Sequence, residues 1–226
     1  MPTTAPDGRT LTVTGNPRGL IGPWLFMMWV TSNTNRFRLH SGVRGGQEAI
    51  LVHSPDAAAV KVREASTGRA RLLSIEDPAH GGTTLVWQGD FHEVSTFVHG
   101  TDVPLQTLPS LVAGLNMQDS RDGMVIRPRP GSGVQVDYVM GGNFIPEIAS
   151  VTVKPLESAT EQVPGSGGKV VHGGRLWRDD DYAPDGSLLR RRAVLANAST
   201  AAFLGALEAT GRELAPLMDT ISFTLS

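Results

Sequence analysis

Residues 20–40 read LIGPWLFMMWVTSNTNRFRLH. The apolar part, Leu20–Val30, is too short for a bilayer-spanning helix, which needs roughly 20 apolar residues. Pro23 interrupts it and also disfavours a helix. Trp24–Val30 therefore reads as a buried strand, apolar on both faces, as a central strand is. Ser32-Asn33-Thr34-Asn35 is turn chemistry. Arg36–His40 then alternates, with Arg36, Arg38 and His40 on one face and Phe37 and Leu39 on the other. No aromatic residue is interleaved among those three basic positions as a stacking platform, which argues against nucleic acid. The Trp, Phe and Met content of the apolar stretch fits an interface instead. The interface candidates are Trp24, Phe26, Met28, Arg36 and Arg38.

Working outward, strand patterns recur at short spacing. Upstream, Arg9–Thr14 alternates Arg-Thr-Leu-Thr-Val-Thr, and residues 1–8 form a polar, mobile lead-in. Downstream, 48–53, 58–63, 69–75, 83–88 and 91–98 continue, with turns between them. Short strands at this spacing predict antiparallel sheets. Further strands fall at 123–127, 134–140, 151–154 and 221–225. The segment 157–168 ends in Pro-Gly-Ser-Gly-Gly and reads as an exposed loop. Residues 175–195 read as a hairpin with its tip at Pro184-Asp185-Gly186.

Two helices complete the expected α+β, β-rich fold. One covers about 105–115. The other covers about 199–214, capped by Ser199 or Thr200, with Phe203, Leu204, Leu207 and Leu214 as an apolar stripe. Landmarks repeat: Lys61, His80-Gly81-Gly82, Trp87 and the first helix against Lys154, His172-Gly173-Gly174, Trp177 and the second. They suggest two tandem β-β-β-α units, offset by about 91–100 residues, although Gly-Gly turns and Trp-bearing strands are common. The halves would be 9–130 and 131–226, packed as one compact unit.

The whole chain has 226 residues, 40% hydrophobic, with a net charge of -2. That suits a globular core and gives no global attraction to nucleic acid or anionic lipid. There is no cysteine, so thiolate chemistry, disulfides and cysteine-ligated metals are excluded. The 17 Arg against three Lys read as coding bias. The start lacks a basic segment followed by an apolar run, so the expected location is cytoplasmic, with no membrane span.

Candidate chemistry is sparse. His92-Glu93 begins a zinc-helix pattern, but position 96 is Thr. His92 and His99 fall on opposite faces of a strand. Trp87, His92, His99 and Trp177 are the ligand-binding candidates. Asp179, Asp181 and Asp185 invite a divalent-cation reading, yet the alternate oxygen ligands of a calcium loop fail at Ala183. Phosphate-binding, dinucleotide-binding and nucleophile-elbow motifs are absent. No cofactor and no catalytic residue is assigned. The expected function is a non-enzymatic structural or protein-interaction subunit of an oligomeric or larger assembly, through a protein partner or self-association. The alternative is a small-molecule-binding protein or enzyme with a pocket between the halves.

Overall fold

The computed structural model describes every residue except 1, 16–19, 33–34, 53–59, 69, 78–80, 146–147 and 208–213. About 60% of the chain is strand, and helices are few and short. The chain divides into two compact units. The central unit holds Thr4–Gly8 and Leu25–Tyr138, and the C-terminal unit holds Met1–Thr3, Arg9–Trp24 and Val139–Ser226.

In the central unit, Ile21–Thr31 pairs antiparallel with Arg36–Val43 through its residues 26–31. Arg36–Val43 pairs with His92–His99. The sheet then steps back through Gly82–Gln88 and Ala70–Asp77 to the edge strand Lys61–Thr67. The crossover from second to third strand carries the helix Gly46–Val52. Residues 48–53 were expected to extend as a strand. Instead the Glu93 carboxylate accepts the Gly45 and Gln47 backbone N–H groups at 2.8 and 2.6 Å, satisfying donors that open a helix. A short apolar run cannot be assigned by periodicity alone. A second pair, Leu115–Ser120 and Gly123–Pro128, follows the helix Thr107–Leu111.

Alternation sets the core face. Phe26, Met28 and Val30 are buried together with their cross-strand neighbour Leu39. Leu73, Ile75 and Val86 form a second cluster.

In the C-terminal unit, Gln135–Ile145 pairs with Ala149–Pro155, and that strand pairs with Thr200–Ala206. The sheet continues through Arg192–Ala196 and Gly174–Arg178 to the edge strand Lys169–Val171. The expected hairpin at 175–195 is present, with Trp177 opposite Val194. Ile221–Leu225 pairs with Thr10–Gly15.

The helix expected over 199–214 is overturned. Thr200–Ala206 is a strand flanked on both sides, and among the described residues the only helical turn nearby is Ala215–Met218. Positions 208–213 lie outside the described residues. The cap-like residues serve a hairpin: Asn197 Oδ1 accepts the Ser199 and Thr200 N–H groups, both at 3.0 Å. The alanines that suggested a helix fill a strand buried on both faces, where pairing overrides propensity. The helix expected over 105–115 shrinks to Thr107–Leu111, because Leu115 already starts a strand.

The opening residues include the strand Pro2–Thr4. Within the central unit, Ile126 N–H donates to Pro6 O at 2.7 Å.

Candidate functional site

The apolar strand and its hairpin partner build the most distinctive surface. Leu25, Met27, Trp29 and Thr31 point away from the core that buries Phe26, Met28 and Val30. Trp29 pairs with Arg38, and Arg36 sits diagonally across. The two guanidinium carbons stand 5.2 and 4.8 Å from the indole centroid, within cation–π range. Arg38 Nη1 lies 3.9 Å from Met27 Sδ. Thr31 Oγ1 donates to Asp137 Oδ2 at 2.6 Å, and Arg36 reaches the same oxygen at 3.8 Å. His40 completes the row opposite Met27. Burial lowers its pKa from the ordinary histidine value, and Arg38 lowers it further.

The expected interface set is therefore half corrected. Arg36 and Arg38 are exposed. Phe26 and Met28 are core residues, 6% and 1% exposed. A run apolar on both faces does not reveal its own parity, so the sequence put the wrong half outside. The missing aromatic platform is also supplied: Trp29 comes from the neighbouring strand, which a single-strand reading cannot see. Trp24, in the C-terminal unit, packs edge-on against Phe223 at 6.3 Å. It lines a cavity of about 300 Å³ with Val13, Leu20 and Asn143.

Of the four ligand-binding candidates, two come together. His92 Nδ1 lies 2.9 Å from Asp119 Oδ1, while Asp119 Oδ2 accepts the Phe91 N–H at 2.8 Å. Gly89 fits between the Asp119 carboxylate and the Trp87 ring, where a Cβ would come within 2.4 and 2.9 Å of them. The carboxylate fixes the imidazole and ties the Leu115–Ser120 strand to the turn before His92. His99 ends the His92–His99 strand, edge-on to Phe97 at 5.2 Å. Trp177 lies in the C-terminal unit and donates its indole N–H to Ser166 O at 2.9 Å. Among the His-Gly-Gly landmarks, His80 lies outside the described residues and His172 is an exposed turn residue.

The aspartates at 179–185 do not converge on a cation position. Arg192 reaches Asp179 at 3.2 Å and Asp181 at 3.1 Å. Asp185 accepts the Ser187 hydroxyl and N–H, which lower its pKa from the ordinary carboxyl value. Among the described residues no group of three acidic or imidazole side chains could hold a metal ion. None of their helices is long and apolar enough to cross a membrane.

Sequence reasoning missed a polar network in the central unit, buried at Gln88 and Glu93, half-buried at Arg71 and Glu48, and exposed at Glu64. Gln88 Nε2 donates to Glu48 Oε2 at 2.9 Å and Glu93 Oε2 at 3.0 Å. Arg71 donates to Glu48 at 3.0 Å, to Gln88 Oε1 at 3.2 Å and to Glu64 at 2.8 Å. Its signal was present only as Arg71, Gln88 and Glu93, polar residues near the ends of their strands. No protein-family model, curated protein or solved structure matches this chain.

Proposed function

We propose that this chain is a non-enzymatic protein-interaction subunit of a larger assembly, working in the cytoplasm. The observation that carries the reading is the Arg36–Trp29–Arg38 ladder on the outward face of the central unit. Trp and Arg are the residues on which binding energy concentrates in protein interfaces. Stacked guanidiniums lose less freedom on binding than unsupported ones. Two guanidiniums beside one carboxylate select a protein partner that presents acidic side chains.

The His92–Asp119 pair belongs to this reading as a structural staple, since both Asp119 oxygens are used in fixing one turn. We propose also that the chain arose by tandem duplication, in a register different from the one its landmarks suggest. Both units use the strand order first-second-sixth-fifth-fourth-third, every neighbour antiparallel. Equivalent starts are Arg36 with Ala149, Lys61 with Lys169, Gly82 with Arg192, and His92 with Thr200. The landmarks fail as equivalents because Gly82 opens a fifth strand and Gly174 a fourth.

The test of function is the size of the native complex. In cell extract the wild-type chain should elute well above its own 24.1 kDa, and the folded Arg36→Glu/Arg38→Glu variant should elute near it. Light scattering on the purified chain separates self-association from a partner. Identical elution of variant and wild type would remove the proposal.

A further inference from the structure

The C-terminal unit holds a cavity of about 620 Å³, inside the roughly 300–1,000 Å³ range of small-molecule sites. Its lining includes apolar Leu156, Val163, Pro164 and Leu225, with Arg9 and Glu157 among its polar groups. The walls are tied to one another by hydrogen bonds. Leu156 N–H donates to Ser199 O at 3.0 Å, and Leu225 N–H donates to Thr200 Oγ1 at 3.0 Å. Thr10, next to Arg9, exchanges backbone hydrogen bonds with Ser226 at 2.8 and 3.1 Å. Such a cavity is formed before any ligand arrives, which lowers the ordering cost of binding.

The polar groups select the ligand's charge. The Thr160 hydroxyl donates to backbone carbonyls of its own turn, Leu156 O at 3.2 Å or Glu157 O at 3.3 Å. The Ser199 hydroxyl engages Thr200 Oγ1 at 3.0 Å or Asn197 Oδ1 at 3.4 Å. Both hydroxyls already have protein partners, and Arg9 is the cationic side chain of the lining that can donate to an incoming anion. Arg9 Nη1 holds Glu157 Oε1 at 3.0 Å, with side-chain exposures of 34% and 76%. An ion pair this exposed is weak. The carboxylate is the partner nearer to solvent, so it can swing away while the guanidinium stays at the wall.

We propose that this cavity binds a small carboxylate with an apolar tail, the carboxylate replacing Glu157 on Arg9 and the tail lying against Leu156, Val163 and Leu225. The inference is independent of the Arg36–Trp29–Arg38 face.

The test uses the full chain, isothermal titration and amide spectra, with octanoate, octylamine and octan-1-ol as matched probes. Octanoate should bind and shift the amides of Leu156, Val163, Ser199 and Leu225, with the amine and alcohol at least about tenfold weaker. Glu157→Gln should tighten octanoate, because it removes the carboxylate charge that holds Arg9 Nη1. Arg9→Gln should weaken it about tenfold or more, with Arg9→Lys between. If Arg9→Gln does not fold, the Glu157→Gln result decides alone. Equal binding of all three probes, no binding of octanoate, or a Glu157→Gln variant that binds octanoate no better would overturn the proposal.

Discussion

The same crossover is secured by opposite chemistry in the two units. In the central unit, the segment between second and third strands is held by charge. Glu93 caps the Gly46–Val52 helix, and Glu48 reaches Gln88 and Arg71. In the C-terminal unit the equivalent segment makes two single-turn helices, Leu156–Ser158 and Thr160–Gln162. There Leu156, Val163, Trp177 and Phe203 pack around buried Ala159, Ala196 and Ala201. One strand order thus accepts either fastening. A buried polar network must be fully satisfied to hold, and is costly when cut. An apolar patch degrades in proportion to what is removed.

The largest expected effect follows from cutting the polar fastening. Glu93 is 3% exposed. Glu93→Ala strands the Gly45 and Gln47 N–H groups and one of the two Gln88 amide protons, the other staying on Glu48, costing about 3 kcal/mol. Chemical denaturation measures the loss, and hydrogen exchange should rise first over 44–52. A cost below about 1 kcal/mol would show that water replaces the carboxylate freely.

Trp177→Ala should cost about 2 kcal/mol, less than a fully buried Trp because the ring is only half-buried. Exchange should rise over 156–168 and not over 44–52. The two losses should add in the double variant, as those of sites with no shared partners do. A coupling above about 0.5 kcal/mol would sink the separation into independent fastenings.

Salt gives a smaller contrast. Raising ionic strength should weaken the charged fastening around Arg71, Glu48 and Glu64 and leave the apolar one unaffected. Segment-resolved exchange at low and high salt reads the difference, and equal sensitivity would contradict it.

The smallest effect is protonic. Because burial and then Arg38 lower the His40 pKa from 6.5, the unfolded chain takes up that proton first as pH falls. The fold carries the neutral ring, so this contribution is complete above about pH 6.5 and is lost below it. Denaturation of wild type and His40→Gln at pH 8 and pH 5.5 isolates it. The variant should lose less stability on acidification.

The strand content was legible because alternation and turn residues mark strands locally. Arg36, Leu39 and the Pro184-Asp185-Gly186 tip all sit where local pattern puts them. What escaped depends on neighbours. Phe26 and Met28 against Met27 and Trp29 is a question of parity that only the cross-strand partner Leu39 answers. Thr200–Ala206 has the composition of a helix, and flanking strands on both sides make it a strand. The Arg36–Trp29–Arg38 ladder needed two strands in register. Glu93, Gln88 and Arg71 come from three different strands and could not be assembled from spacing.

The most direct test of the account follows the Trp29 indole N–H and the Arg36 and Arg38 Nε–H signals by nuclear magnetic resonance during titration with an octaglutamate peptide. Decathymidylate and the Arg36→Glu/Arg38→Glu variant serve as comparators. The account predicts saturable shifts of all three signals with the peptide, weaker shifts with the oligonucleotide, and none with peptide in the variant. Unmoved signals, or tighter binding of the oligonucleotide, would contradict it.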